Sequence, residues 1–202
     1  MHKKIKILIT SFAILIGGCS TSRHDYESKT TSFPNDACKM LKENNDWKDA
    51  VIDSYEKWGT PISVQLAFVR QESSFRHNAR PIRKNKKYET GVNYSSTAYG
   101  YSQAINGTWA DYKNRTKQYH RMRESFRDAV DFIGWYNYNS RSILQLSSTD
   151  AYSLYLSYHE GWSGFKNKTY DKKGFLKKAG WKVNKWSHKY SEQLNECKLK
   201  RS

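Results

Sequence analysis

Leu176, Ala179, Val183, Trp186, Tyr190, Leu194 and Cys197 recur every three or four positions near the C-terminus. Side chains at that spacing share a face only on an α-helix, because a strand repeats every two residues. The pattern predicts a long helix over Gly174 to Leu199 with one buried side. The same period recurs upstream. Trp47 to Lys57 is a helix capped by Asp46 and stopped by Gly59. Ile62, Leu66 and Val69 mark a second, with Thr60 as cap and Pro61 in the first turn, where its missing N–H does no harm. Thr108 can cap a helix through Lys117. Glu124 to Arg141 places Phe126, Val130, Ile133 and Tyr136 on one side. Ser148 or Thr149 caps another, with Ala151, Leu154, Tyr155 and Tyr158 inward. No pair of alternating runs suggests strands, and 3 Pro and 11 Gly are too few for a turn-dense barrel. The expected fold is mainly α, a single domain of packed helices from Asn35 to Ser202.

The N-terminus carries a different signal. Lys3, Lys4 and Lys6 precede an apolar stretch from Ile7 to Ile16, broken only by Thr10 and Ser11. Ten helical residues span about 15 Å, half of a bilayer core, so the segment reads as a signal sequence and not a membrane span. It ends in Ile16-Gly17-Gly18-Cys19, which resembles the bacterial lipobox, where the Cys is lipidated and becomes the new N-terminus. An ordinary signal peptide with an incidental Cys is the plainer alternative. Residues 1–18 are then the signal peptide. The polar run from Cys19 to Pro34 is a lipidated, flexible tether. In the resembled system Ser20 implies sorting to the outer membrane, with the domain on its periplasmic face.

Export decides how the charge and the cysteines are read. Lys and Arg number 35 against 19 Asp and Glu, a formal charge of +16 that falls to +13 without residues 1–18. Such a balance calls for a polyanionic partner. An exported protein meets little nucleic acid, so cell-wall or membrane material fits better. An aromatic content of 15% excludes a disordered chain. With Cys19 taken by lipid, Cys38 and Cys197 remain, and an oxidising compartment suggests one disulfide between them, two buried free thiols being the alternative. Residues 77–97 lack apolar periodicity and hold Arg80, Arg83, Lys84, Lys86 and Lys87. They read as a long basic loop, which contacts an anionic polymer or is a solvated face.

Glu72 sits where the second helix gives way to that loop. A carboxylate just beyond an apolar stripe is half-buried, burial raises its pKa, and a raised pKa suits a general acid. Alone, the signal is weak, and a solvated Glu at a helix end explains it better. Three segments in order change the balance: Glu72-Ser73-Ser74-Phe75, then Ala98-Tyr99-Gly100-Tyr101-Ser102-Gln103, then Ser157-Tyr158-His159-Glu160-Gly161. Together they resemble the E-S-x-F, G-L-M-Q and A-Y-N-x-G motifs of the soluble, goose-lysozyme-like lytic transglycosylases. Glu72, Ser73 and Phe75 match the first. Gly100 and Gln103 match the second, with Tyr101 and Ser102 in place of Leu and Met. Tyr158 and Gly161 match the third, with Ser157 and His159 in place of Ala and Asn.

The resemblance implies a lysozyme-like fold and a peptidoglycan lytic transglycosylase working without a cofactor or metal. It implies that Glu72 protonates the bond between N-acetylmuramic acid and N-acetylglucosamine. Glu72 then takes the proton of the muramic C6 hydroxyl as a 1,6-anhydro ring closes. Ser73 and Tyr158 are expected as hydrogen-bonding groups near Glu72 or the muramic N-acetyl. Gln103 orients substrate, and Gly100 lets sugar and backbone approach closely. Tyr158 as a core residue, and Phe75 as core and not contact, are the competing placements. Glu89, Asp111 and Glu160 read as solvated or structural charges. His159-Glu160 hints at a zinc HExxH, but Ser163 stands where the second ligand is needed. A hydrolytic lysozyme on the same fold and a non-catalytic peptidoglycan-binding lipoprotein are the alternatives. The expected partners are glycan strands and, through lipid, a membrane; the chain is expected to be monomeric and not to bind nucleic acid.

Overall fold

The computed structural model describes residues 35–81, 96–197 and 199. The expectations for the signal segment, Cys19 and the tether, and those for Arg83, Lys84, Lys86, Lys87 and Glu89, fall outside the described residues.

Those residues form seven helices: α1 (Ala37–Glu43), α2 (Asn45–Trp58), α3 (Ile62–Ser73), α4 (Asn106–Thr116), α5 (Phe126–Leu144), α6 (Ala151–Lys166) and α7 (Gly174–Glu196). The described residues contain no strand, only one isolated bridge between Tyr99 and Ala104. The mainly α, lysozyme-like fold is the one expected. The helix starts differ from expectation by a residue or two. Asn44, not Asp46, caps α2 by accepting from the Trp47 N–H, and Asp46 lies in the first turn, where its charge faces the positive end of the helix dipole. Thr60 does not cap α3. It is buried with its hydroxyl directed at the Gly134 carbonyl, and Pro61 takes the cap position. α4 starts before Thr108, from Ile105, and α6 is capped by Asp150 and not Ser148 or Thr149. Each of these starts has neighbouring polar residues able to cap, and local pattern does not choose among them.

The helix α5 is the centre of the molecule. Twelve of its 19 residues are buried, more than the single stripe that periodicity suggested. It packs against α2, α3 and α6, and α7 lies across α3 and α6. Trp47 of α2 stacks on Phe126 of α5 with centroids 4.0 Å apart, and edge-on contacts tie both rings to Tyr101. Aromatic pairs of this kind add to the burial of their surface. Tyr101, which replaces the Leu of the resembled motif, is fully buried and anchors residues 96–104 to this cluster.

Cys38 of α1 and Cys197 after α7 form a disulfide with Cα atoms 5.6 Å apart across 159 residues. Closing so long a loop contributes up to about 5 kcal/mol in the chain-entropy account. Gln193 reinforces the closure by accepting from the Ala37 N–H and donating to the Asn35 carbonyl. The two ends of the folded region are thereby held against α7, which in turn braces α3 and the residues at its end.

Candidate active site

The last turn of α3 carries Glu72. Ser74 and Phe75 follow with φ of 52° and 61°. Two successive non-glycine residues in the left-handed region turn the chain sharply, at some steric cost. What holds them is packing: the Phe75 ring is buried and stacks 5.7 Å from Trp47, so it is core and not contact. Glu72 is left half-buried at the floor of a cleft of about 470 Å³. Gln103 and Tyr158 line the same cleft, so one residue from each of the three motifs converges there. Phe132 and Tyr136 of α5 form an aromatic wall, and His159, Glu160 and Gly161 complete the far side.

The surroundings of Glu72 disfavour its charge. Burial pushes its carboxyl up to about 7, against a partial offset from a hydrogen bond donated by Tyr155. Tyr155 itself is bonded by the Gln71 side chain, and its ring meets Phe68 edge-on at 5.5 Å. Burial, with the nearby Glu72 carboxylate, keeps both Tyr155 and Tyr158 protonated far above neutral pH. The Tyr158 hydroxyl donates to the Ser102 carbonyl at 2.6 Å, and its ring makes edge contacts with Phe68 and Tyr136 at 5.3 and 5.0 Å. Tyr158 is thus a core aromatic on one side and cleft lining on the other. It ties α6 to the loop that carries Gln103.

Gln103 adopts φ of 50° and spends both amide hydrogens on the backbone, bonding the Ala79 and Gly100 carbonyls at 2.8 Å each. Its amide oxygen is the remaining polar atom. The Arg123 guanidinium spans the same loop, bonding the Thr97 and Ala104 carbonyls. The loop is therefore shaped by side chains that bond its own backbone.

Two expected site residues lie elsewhere. Ser73 does not line the cleft: it is buried, and its hydroxyl bonds the Val69 carbonyl one turn back, a common outlet for serine within a helix. Gly100 does not face the cleft either. Its φ is 74°, and a Cβ there would stand 2.1 Å from the Arg123 carbonyl oxygen, so the close approach that demands glycine is backbone on backbone.

Glu160 is the second carboxylate of the cleft, and its environment is the reverse of Glu72's. Burial would raise its pKa, but bonds from Lys173, Thr169 and His159 outweigh that and hold it down at about 2. Lys173 Nζ lies 2.8 Å from both oxygens, and the carboxylate is only 3% exposed. Gly161 follows with φ 74° and ψ 164°, an extended left-handed conformation nearly confined to glycine, and breaks α6 at the cleft edge. Of these features, the sequence pattern marks Tyr155 only as an inward-facing residue. Its place three positions before Tyr158, on the same helical face, was the available signal.

The family described as transglycosylase SLT domain matches residues 7–197. The chain belongs to this family. No curated protein is similar enough to count as a match. Lytic transglycosylases of this kind act on peptidoglycan in the periplasm. A cleft with an aromatic wall suits a sugar chain, because pyranose rings present apolar faces to aromatic side chains. The cleft thus holds one carboxyl whose pKa lies near neutrality and one held in its charged form.

Proposed function

We propose that Glu72 is the single catalytic acid–base of a lytic transglycosylase that cleaves the β-1,4 bond between N-acetylmuramic acid and N-acetylglucosamine. The observation that carries this reading is the contrast between Glu72 and Glu160 within one cleft. Protonated Glu72 donates its proton to the glycosidic oxygen, and the C1–O bond breaks with oxocarbenium character at C1. The muramic C6 hydroxyl then bonds to C1 while its proton passes to the Glu72 carboxylate. The product is a 1,6-anhydro sugar, no water is consumed, and Glu72 ends protonated as it began. A carboxyl titrating near 7 suits both halves of that cycle, since donor and acceptor forms are both accessible at neutral pH. The C6 hydroxyl outcompetes water because it is held on the ring that reacts.

A hydrolytic mechanism needs a second carboxylate, to activate water or to act as nucleophile. Glu160 is the candidate in this cleft, and Lys173, Thr169 and His159 occupy its oxygens. A carboxylate so paired is a poor base. It braces the segment after the Gly161 kink against Lys173 at the start of α7. Tyr158 and Gln103 position the loop and α6 around the reacting sugar. Tyr155 orients the Glu72 carboxylate and restrains its rise in pKa.

Residues 1–18 are proposed as a lipoprotein signal peptide, Cys19 as the lipidated residue and residues 20–34 as the tether. Residues 35–202 are the catalytic unit, acting as a monomer on the periplasmic face of the outer membrane. The Ile16-Gly17-Gly18-Cys19 sequence supports the anchor. Acyl chains contribute about 0.8 kcal/mol per buried CH₂, and two or more give stable attachment. Cys19→Ser is expected to release active enzyme from membranes in high salt. An exported Cys19→Ser protein that stays in the pellet contradicts the anchor. The acid–base assignment is tested by Glu72→Gln, which keeps the shape and loses the proton. Clearance of a purified peptidoglycan suspension should all but cease, and near-normal clearance by that variant would sink the assignment.

A further inference from the structure

Outside the cleft lies a second, larger cavity of about 640 Å³. Four cations line it, Arg70 from α3 and Lys182, Lys185 and Lys189 from α7, and among the described residues no carboxylate does. Cations gathered on one concave surface repel one another, and an anionic ligand relieves the repulsion. Trp186 stands among them. The Arg70 guanidinium lies 3.4 Å from its ring centroid and the Lys189 ammonium 4.9 Å. Arg70 is held further by bonds to the Tyr190 hydroxyl and to Asn35 Oδ1. One cation is thus fixed on an aromatic plate, and three lysines can adjust around it.

The position of this cavity says what it faces. Gln71 and Ser74 complete its lining, while Glu72, between them in sequence, opens into the cleft. One turn of α3 separates the two cavities. On α7 the basic wall continues back toward the cleft as a stripe: Phe175, Lys178, Lys182, Lys185 and Lys189 recur every three or four residues, so they share a face about 21 Å long. Phe175 is 66% exposed, and its ring lies 6.1 Å from His159 on the cleft wall. From Gly174 to Ser191, α7 contains no Asp or Glu.

We infer that this strip binds the free carboxylates of the peptide stems carried by the glycan strand in the cleft. The inference rests on the proposed function. In peptidoglycan the muramic lactyl groups are amide-linked to the stems, so the sugars are neutral and the negative charge sits on the peptides. A strand lying in the cleft carries those charges outward along a basic face that begins at the cleft edge and ends in a concave, aromatic-backed pocket. A lipid surface fits less well, because a flat bilayer has no use for a concave pocket at the end of a strip that starts at the cleft edge. The enzyme accordingly selects strands with peptides attached over bare glycan.

The probes are a free stem tetrapeptide, the same peptide with its carboxylates amidated, and glycan strands stripped of peptide by an amidase. Calorimetric titration of the protein should show binding of the tetrapeptide, weakened roughly tenfold or more by amidation, because charge-assisted bonds are lost. The combined Lys182→Ala, Lys185→Ala and Lys189→Ala variant, checked for an unchanged melting curve, should lose that binding to a similar degree. It should also lose the parent's lower KM for peptide-bearing over stripped strands. Equal binding of the free and amidated peptides overturns the inference, as does a KM preference that survives the triple substitution. So does a variant whose one defect is weaker attachment to vesicles of anionic phospholipid, which makes the strip a membrane face. Anhydro ends released from peptide-bearing strands decide the proposed function separately. If they form and the peptide does not bind, only the strip inference falls. If the peptide binds and no anhydro ends form, the acid–base reading falls and the strip stands.

Discussion

Glu72 and Glu160 line one cleft and are the same side chain, yet the protein does opposite things to them. At the end of α3, burial among aromatic residues leaves Glu72 with one offsetting hydrogen bond, from Tyr155, and its carboxyl titrates near 7. At the kink in α6, the Glu160 side chain is also withdrawn from solvent but meets a lysine, a threonine and a histidine, and titrates near 2. Burial alone therefore does not make a catalytic acid. What matters is whether burial goes uncompensated, because only then does the proton stay within reach of neutral pH. The uncompensated carboxyl costs stability, and the compensated one supplies it.

The largest effect that separates the two is on turnover. Glu72→Gln should lower cleavage by roughly 10²–10⁴-fold or more, the usual contribution of general acid–base catalysis, in a steady-state assay on purified peptidoglycan. Glu160→Gln should lower activity far less and act mainly on stability. It weakens bonds to Lys173 and leaves a polar group buried with poorer partners, costing about 1–3 kcal/mol in urea denaturation at pH 7. A Glu160→Gln protein that is fully stable but inactive breaks the contrast.

Stability against pH sharpens it. The folded-state pKa of Glu72 is raised from the ordinary 4.5 to about 7, so folding favours its proton and stability falls as pH rises between those values. Glu72→Gln should thus melt higher than the parent at pH 8 and at the same temperature at pH 4. Glu160 has the opposite sign. Its pKa is depressed from 4.5 to about 2, so its contribution is present above 4.5 and is lost as pH falls through about 2. Parent and Glu160→Gln should converge in melting temperature as the solution is acidified toward pH 2. The smallest effect concerns Tyr155. Tyr155→Phe removes the bond that favours the Glu72 anion and should shift the basic limb of the pH–activity profile upward by about half to one unit. An unmoved limb means that Tyr155 is packing alone.

Much of this fold was legible in the residue pattern, because amphipathic helices advertise their faces at a period of 3.6. The stripe from Leu176 to Tyr190 and the stop at Gly59 are examples. The helix α5 was legible as a helix but not as the central one. Its burial on all sides depends on what α2, α3 and α6 bring to it, which no local period records. The cleft residues Glu72, Gln103 and Tyr158 stood out through motif order, a signal of likeness and not of geometry. Ser73 and Gly100 stood out by the same signal, yet their direct contacts are with the Val69 and Arg123 backbones. Motifs mark what a site needs without saying which residues touch the ligand and which shape the chain around it. The ionisation of Glu160 was invisible because Lys173 is brought to it across the turn between α6 and α7.

The central claim is that one carboxyl acts twice and water takes no part. Mass spectrometry of the fragments released from purified peptidoglycan tests it most directly. The account predicts disaccharide-peptides ending in 1,6-anhydro-N-acetylmuramic acid, one water lighter than their hydrolysed counterparts and without a reducing end. Fragments with reducing muramic ends would contradict it and would require water to be activated by a group other than the paired Glu160.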